Sequence, residues 1–143
     1  RGTEASPGLM APLDRGPVCE GLAFRIDTAR VENETRILWQ RERVAEGYIP
    51  IDLMARIGDT DVPVLTFVAD HNAEAIVSDV ARTEQLLLLA NSVGFLGSSL
   101  EYLQGIAAKL HLLGIEDADL FSLLDEAENA TGSSEHKPHQ HPL

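Results

Sequence analysis

The chain has 143 residues, 44% of them hydrophobic, and a formal net charge of −12 at pH 7. That length suits one domain able to bury roughly two thirds of its unfolded surface, and 23 acidic against 11 basic residues argue against nucleic acid and anionic membranes as partners. Cys19 is the only cysteine, which excludes an intrachain disulfide and fits a reducing, cytoplasmic setting, and neither a signal peptide nor an apolar run of the ~18 residues needed to cross a membrane is found.

Residues 1–8 carry loop chemistry, and residues 9–13 read as a short strand interrupted by Pro12. From Val18 onward Val18, Leu22, Phe24 and Ile26 share one face, with Glu20 the exception on it, which predicts a half-buried strand over residues 18–26. Asp27 or Thr28 then caps a helix that runs to about Val44, with Gly47 ending it or the turn beyond. Within that helix Val31, Thr35, Leu38 and Glu42 fall on one stripe, so Glu42 is expected to point inward near the C-terminal end. A carboxylate so placed meets desolvation and the negative end of the helix dipole, and both move such a group toward the range a general base needs. The plainer reading, a helix-end residue pairing with Arg41, Arg43 or another basic group, stays open on the residues alone.

After Tyr48 the alternation of Ile49, Ile51, Leu53, Ala55 and Ile57, the turn Gly58-Asp59-Thr60-Asp61 and the apolar residues 62–69 predict an antiparallel hairpin. Its second strand should be the more buried, with Pro63 where no ladder donor is required. The remainder reads as helices. The first, from Asp79 or Ala81 to Val93, carries Leu86, Leu87, Leu88 and Leu89 and must be well covered, and Gly94 and Gly97 break it. Ser98 and Glu101 have capping-box spacing and open a second helix that Gly114 ends, and Asp117 or Asp119 starts a last short one through Leu124. Residues 129–143 cannot form a core and are expected to be disordered, leaving residues 1–128 as the domain. Strands with one intervening helix, followed by helices, make the chain α+β.

Chemistry-bearing residues outside the first helix are sparse. His136, His139 and His141 form a loose tail cluster able to hold a divalent metal only weakly, while His71 reads as a turn residue and His111 as a helix-surface residue. Cys19 alternates onto the strand face opposite Leu22 and Phe24 with no histidine near it in sequence, which argues against a nucleophile. No Gly-rich phosphate loop, CxxC or HExxH occurs. Gly94-Phe95-Leu96-Gly97, ahead of a helix N-terminus, either binds an anion or merely separates two helices. Tyr102, one turn into that helix, either presents its hydroxyl to a pocket or buries it with a partner.

Several segments taken together resemble the ChaC-type γ-glutamylcyclotransferases that act on glutathione. They are Arg1-Gly-Thr with Pro7-Gly-Leu-Met, Gly21-Leu-Ala-Phe-Arg25, Leu38-Trp-Gln-Arg-Glu42 with Tyr48, Val64-Leu-Thr-Phe-Val-Ala69, and Gly94-Phe-Leu-Gly-Ser-Ser-Leu-Glu-Tyr-Leu103 with Leu113-Gly-Ile115, spanning about residues 1–125. The resemblance implies a small β-barrel or a curled mixed or antiparallel sheet flanked by helices, glutathione as the small-molecule partner, and no metal, nucleotide or flavin cofactor. It assigns the catalytic acid/base role to Glu42 and leaves Tyr48, Ser98 and Tyr102 as substrate-binding candidates. In the family reaction the α-amino group of the γ-glutamyl unit attacks its own γ-carbonyl, closing 5-oxoproline and releasing cysteinylglycine. Family members begin with a strand and loop of the form Tyr-Gly-Ser-Leu that holds the γ-glutamyl part. This sequence has no such segment, so the fold is expected to be incomplete at its N-terminus with an open sheet edge. Two alternatives follow: a binding module that holds a γ-glutamyl or amino-acid ligand without converting it, or an inactive fragment that needs an added N-terminal segment.

Overall fold

The structure, a computed structural model, describes residues 7–16, 18–43 and 47–132. It divides into two compact units, Pro12–Asp79 on the one hand, and the segment before Pro12 together with the helices from Val80 onward on the other.

In the unit Pro12–Asp79, a single 3₁₀ turn, Thr28–Arg30, leads into α1 (Val31–Arg43), and β1 (Tyr48–Ile57) pairs antiparallel with β2 (Thr60–Ala69). The register sets Ile57 opposite Thr60, so Gly58 and Asp59 alone make the turn. Gly58 takes φ +58, the left-handed geometry that two-residue hairpin turns favour and that glycine adopts without a Cβ clash. The turn is shorter than the four residues expected because Thr60 and Asp61 join the ladder, where the Asp61 carboxylate accepts from Arg56 Nε at 2.6 Å. As expected, β2 is the more buried strand, ending on Ala69 at 5% exposure.

The strand expected over residues 18–26 is not formed. The segment has no regular structure, and Val18, Leu22 and Phe24 are 80%, 65% and 84% exposed. Alternation marks which face a strand would bury, but a strand also needs a neighbour's donors and acceptors, and no described ladder adjoins these residues. Residues 9–13 form no strand either, their backbone groups bonding one at a time: the Leu13 carbonyl accepts the Ala69 N–H at 2.9 Å. Asp27 stands at the N-terminal cap of the 3₁₀ turn but its side chain makes no capping bond.

The helical unit holds α2 (Arg82–Asn91), the two-residue strands β3 (Val93–Gly94) and β4 (Gly97–Ser98), α3 (Ser99–Leu113) and α4 (Ala118–Gly132). Leu89, Leu103, Leu123 and Ala127 form its core, and Leu9 packs against them. Leu87, expected to be covered, is 63% exposed, because α2 turns one face to the core and Leu87 points off it. Gly94 and Gly97 do more than separate helices: they pair across a small hairpin, with Gly97 at φ +104. The α3 capping box is present, Ser98 Oγ accepting the Glu101 N–H at 3.1 Å and the Glu101 carboxylate accepting the Ser98 N–H at 2.8 Å. Gly114 ends α3 at φ +67, with the Ile115 N–H reaching back to the Leu110 carbonyl at 3.0 Å. Asp117 Oδ1 accepts the Leu120 N–H at 3.0 Å and starts α4, which runs to Gly132 rather than stopping at Leu124. Leu123 and Ala127, one turn apart, keep its inner face buried past that point. Residues 129–132 are therefore helical, and residues 133–143, with their three histidines, lie outside the described residues.

The α+β class holds, with antiparallel pairing in both sheets. Among the described residues each sheet has two strands and no barrel closes, so of the two expected forms the sheet flanked by helices is the one consistent with the structure.

Two buried serines tie the segment before Pro12 into the helical unit. The Ser92 hydroxyl donates to the Pro7 carbonyl, the Leu9 N–H donates to Ser99 Oγ at 3.2 Å, and the Ser99 N–H donates to the Ser92 carbonyl at 2.9 Å. Ser99 is 0% exposed, so Ser99→Ala strands the Leu9 donor where water does not replace it. The expected cost is about 1–3 kcal/mol, read as a lowered urea midpoint, and a midpoint equal to wild type would show that the strap carries no stability.

Candidate functional site

Glu42 lies in the last turn of α1. The half-buried positions of that helix are Glu34, Thr35, Leu38 and Glu42, so three of the four residues of the expected stripe face inward, whereas Val31 is 42% exposed. The helix packs against β1, which begins at Tyr48, itself half-buried and opposite Ala69 in the register. Among the described residues the Glu42 carboxylate makes neither an ion pair nor a hydrogen bond, so the structural pairing with Arg41 is not formed. Glu42 and Tyr48 belong to the unit Pro12–Asp79, and Ser98 and Tyr102 to the helical unit.

Ser98 is committed to the α3 cap, its hydroxyl accepting from the Glu101 N–H and donating to the Glu101 carboxylate at 3.0 Å. The same arrangement changes the reading of Gly94-Phe95-Leu96-Gly97. Glu101 brings its own negative charge to the N-terminus where an anion would sit, so the geometry disfavours a bound anion there. Tyr102, half-buried in the first turn of α3, borders a cavity of about 220 Å³ lined by Leu9, Leu89, Leu103, Leu120 and Leu123 together with Asp117 and Asp119. A second, polar cavity of about 260 Å³ lies beside Arg25, Asp27, Arg30 and Glu34 at the start of α1. From Arg30 to Glu42 the helix rises about 18 Å, and neither cavity includes Glu42.

His111 is on the α3 surface and His71 follows β2 in a turn, both as expected, and the His71 ring lies between Asp14 and Ser78. Cys19 is an exposed thiol.

Arg82 is a residue the sequence reading missed. From the first turn of α2 its guanidinium reaches Asp119 at 3.3 Å, Ser122 at 2.9 Å and Glu126 at 2.9 Å, all on one face of α4. An isolated arginine at a helix start carries no local signal for partners 37 to 44 residues away. The hydrogen bonds from Arg82 and then Ser122 hold the Glu126 carboxyl below its usual range. Its contribution is therefore whole above the ordinary glutamate pKa and is lost as pH falls through the lowered folded value. The stability gap between wild type and Glu126→Gln, measured by urea unfolding, is expected to be widest near neutral pH and to close under acid. A gap independent of pH would refute the ion pair's role.

The two units define an α+β protein in which a half-buried carboxylate, with no ion pair or hydrogen bond among the described residues, stands in the last turn of the helix packed on a hairpin, and a tyrosine borders an apolar cavity in a helical bundle. The chain belongs to the ChaC-like family: the family model described as "ChaC-like protein" matches residues 1–130. It is also 31% identical over 125 residues to the glutathione-specific gamma-glutamylcyclotransferase of Escherichia coli (strain K12), an alignment covering 87% of this chain and 54% of that protein. The chain thus spans about half the length of that curated relative. Among the described residues no helix is long and apolar enough to cross a membrane.

Proposed function

We propose that this chain carries the acid–base part of a γ-glutamylcyclotransferase that acts on glutathione in a reducing, cytoplasmic compartment, with Glu42 as the proton acceptor. The observation that carries the reading is the pairing of family membership with a half-buried Glu42 that no described basic group neutralises. The chemistry requires such a group. The substrate α-amine is an ammonium at neutral pH and is inert until a base removes a proton. Its nitrogen then forms a bond to the γ-carbon through a tetrahedral oxyanion and gives up a second proton, the bond from that carbon to the cysteinyl nitrogen breaks, and the leaving amine takes up the two protons that the attacking nitrogen lost. One carboxyl group that accepts each proton from the attacking nitrogen and passes it to the leaving one closes the cycle. Because attack is intramolecular, orientation supplies much of the remaining acceleration, together with donors to the oxyanion. Tyr48 and Tyr102 are the substrate-contacting candidates, and Ser98 acts through the α3 cap, one turn from Tyr102.

Incubating the purified chain with glutathione, and quantifying 5-oxoproline and cysteinylglycine, tests this directly. Equal amounts of the two products support the reading. Free glutamate in place of 5-oxoproline would point to hydrolysis instead, and saturable binding without product from a folded chain would sink cyclotransferase activity for it.

A further inference from the structure

The unit Pro12–Asp79 joins the rest of the chain at two connections, between Ala11 and Pro12 and between Asp79 and Val80. One imidazole ring holds side chains that stand next to both. His71 Nε2 lies 2.8 Å from each carboxylate oxygen of Asp14, just past the first connection, and Nδ1 lies 2.8 Å from Oγ of Ser78, just before the second. The backbone reinforces the arrangement, since Leu13 accepts the N–H of Ala69 at the end of β2 and the Arg15 N–H closes onto Asp14 Oδ1 at 2.6 Å. Asp79, beside Ser78, takes φ +57, an uncommon conformation for a residue other than glycine.

We propose that Asp14, His71 and Ser78 form a latch that pins the two connections to each other at the end of the hairpin, with the His71 ring as the piece common to both, so that loss of the ring releases both. The reverse order of the ring argues against a nucleophilic serine. In hydrolase triads the serine meets Nε2 and the carboxylate Nδ1, whereas here Ser78 meets Nδ1, and neither cavity described above includes the three residues. The latch serves in both states of the ring. Neutral, with its proton on Nε2, the ring donates to Asp14 and accepts from the Ser78 hydroxyl, and as imidazolium it donates to both. Asp14 is the acid-labile member. The hydrogen bond from His71, and then that from the Arg15 N–H, keep its carboxyl below the usual range, so its share is lost only as pH falls through that lowered value. His71 and Arg15 are the charges acting on Asp14, and Asp70, Glu74 and Asp79 are the other titratable groups along the loop that carries His71.

Hydrogen–deuterium exchange on the whole chain at neutral pH tests the latch. His71→Ala is expected to speed exchange in residues 12–16 and 72–79 together, by about three- to tenfold, leaving α2, α3 and α4 unchanged. Asp14→Asn should loosen residues 12–16, and combining it with His71→Ala should add nothing further there. Ser78→Ala should loosen residues 72–79 while residues 12–16 stay held. Acceleration of only one segment by His71→Ala, or additive effects of Asp14→Asn and His71→Ala, overturns the proposal. The ring ¹⁵N signals of wild-type His71 supply a measurement independent of any variant: a neutral ring carrying its proton on Nδ1 overturns it as well.

Discussion

Glu42→Gln is expected to lower the rate of 5-oxoproline release from glutathione by about 10²–10⁴-fold while leaving the circular dichroism spectrum unchanged. Glutamine keeps the length and volume of the side chain, and among the described residues Glu42 has no ion pair whose loss would unsettle α1. What it removes is the basic oxygen that takes the substrate's proton in the proposed reaction, without which the ammonium has no lone pair to attack the γ-carbonyl. Binding should survive, so calorimetry with glutathione separates a lost base from a lost site. Full turnover by Glu42→Gln would move the acid/base role to another group. A matching loss of binding and turnover would make Glu42 a substrate contact rather than a base.

Leu89→Ala is expected to destabilise the helical unit by about 2–5 kcal/mol, a large part of the roughly 5–15 kcal/mol that holds a whole domain together. Leu89 is 2% exposed and meets Leu103, Leu123 and Ala127, so its loss removes apolar contacts from α2, α3 and α4 at once and leaves a cavity between helices that relax only partly. Its neighbour Leu87, 63% exposed on the same helix, serves as the control, and Leu87→Ala should stay within about 0.5 kcal/mol. Urea unfolding of the two variants, followed by helical circular dichroism, measures the contrast. Equal midpoints would mean that the four-residue core does not organise this unit.

The candidate site was legible in the sequence where it rests on one helix. The spacing of Val31, Thr35, Leu38 and Glu42 predicted the inner face of α1, and of these Thr35, Leu38 and Glu42 are half-buried while Val31 is exposed. Ser98 was singled out for a pocket, yet its hydroxyl is taken up by Glu101, three residues away, a use the same capping-box spacing had already indicated. Arg82, Ser92 and Ser99 gave no warning, since each has an unremarkable sequence neighbourhood and acts on partners 37 to 90 residues distant.

By itself, the sequence determined what nearest neighbours along the chain can enforce. Gly58 and Gly114 supply left-handed backbone where a hairpin turns and where α3 stops, the pair Ser98 and Glu101 starts α3, and Asp117 starts α4, because each of these acts within about four residues of itself. Tertiary structure alone decided which alternating segment gains a partner and which polar groups meet. The alternation at Tyr48 and beyond became a ladder because Thr60–Ala69 returns beside it, while that of Val18, Leu22 and Phe24 stayed exposed. The bonds of His71 to Asp14, 57 residues away, and of Leu9 to Ser99, 90 residues away, depend on the path of the chain in space, and no periodicity encodes that path.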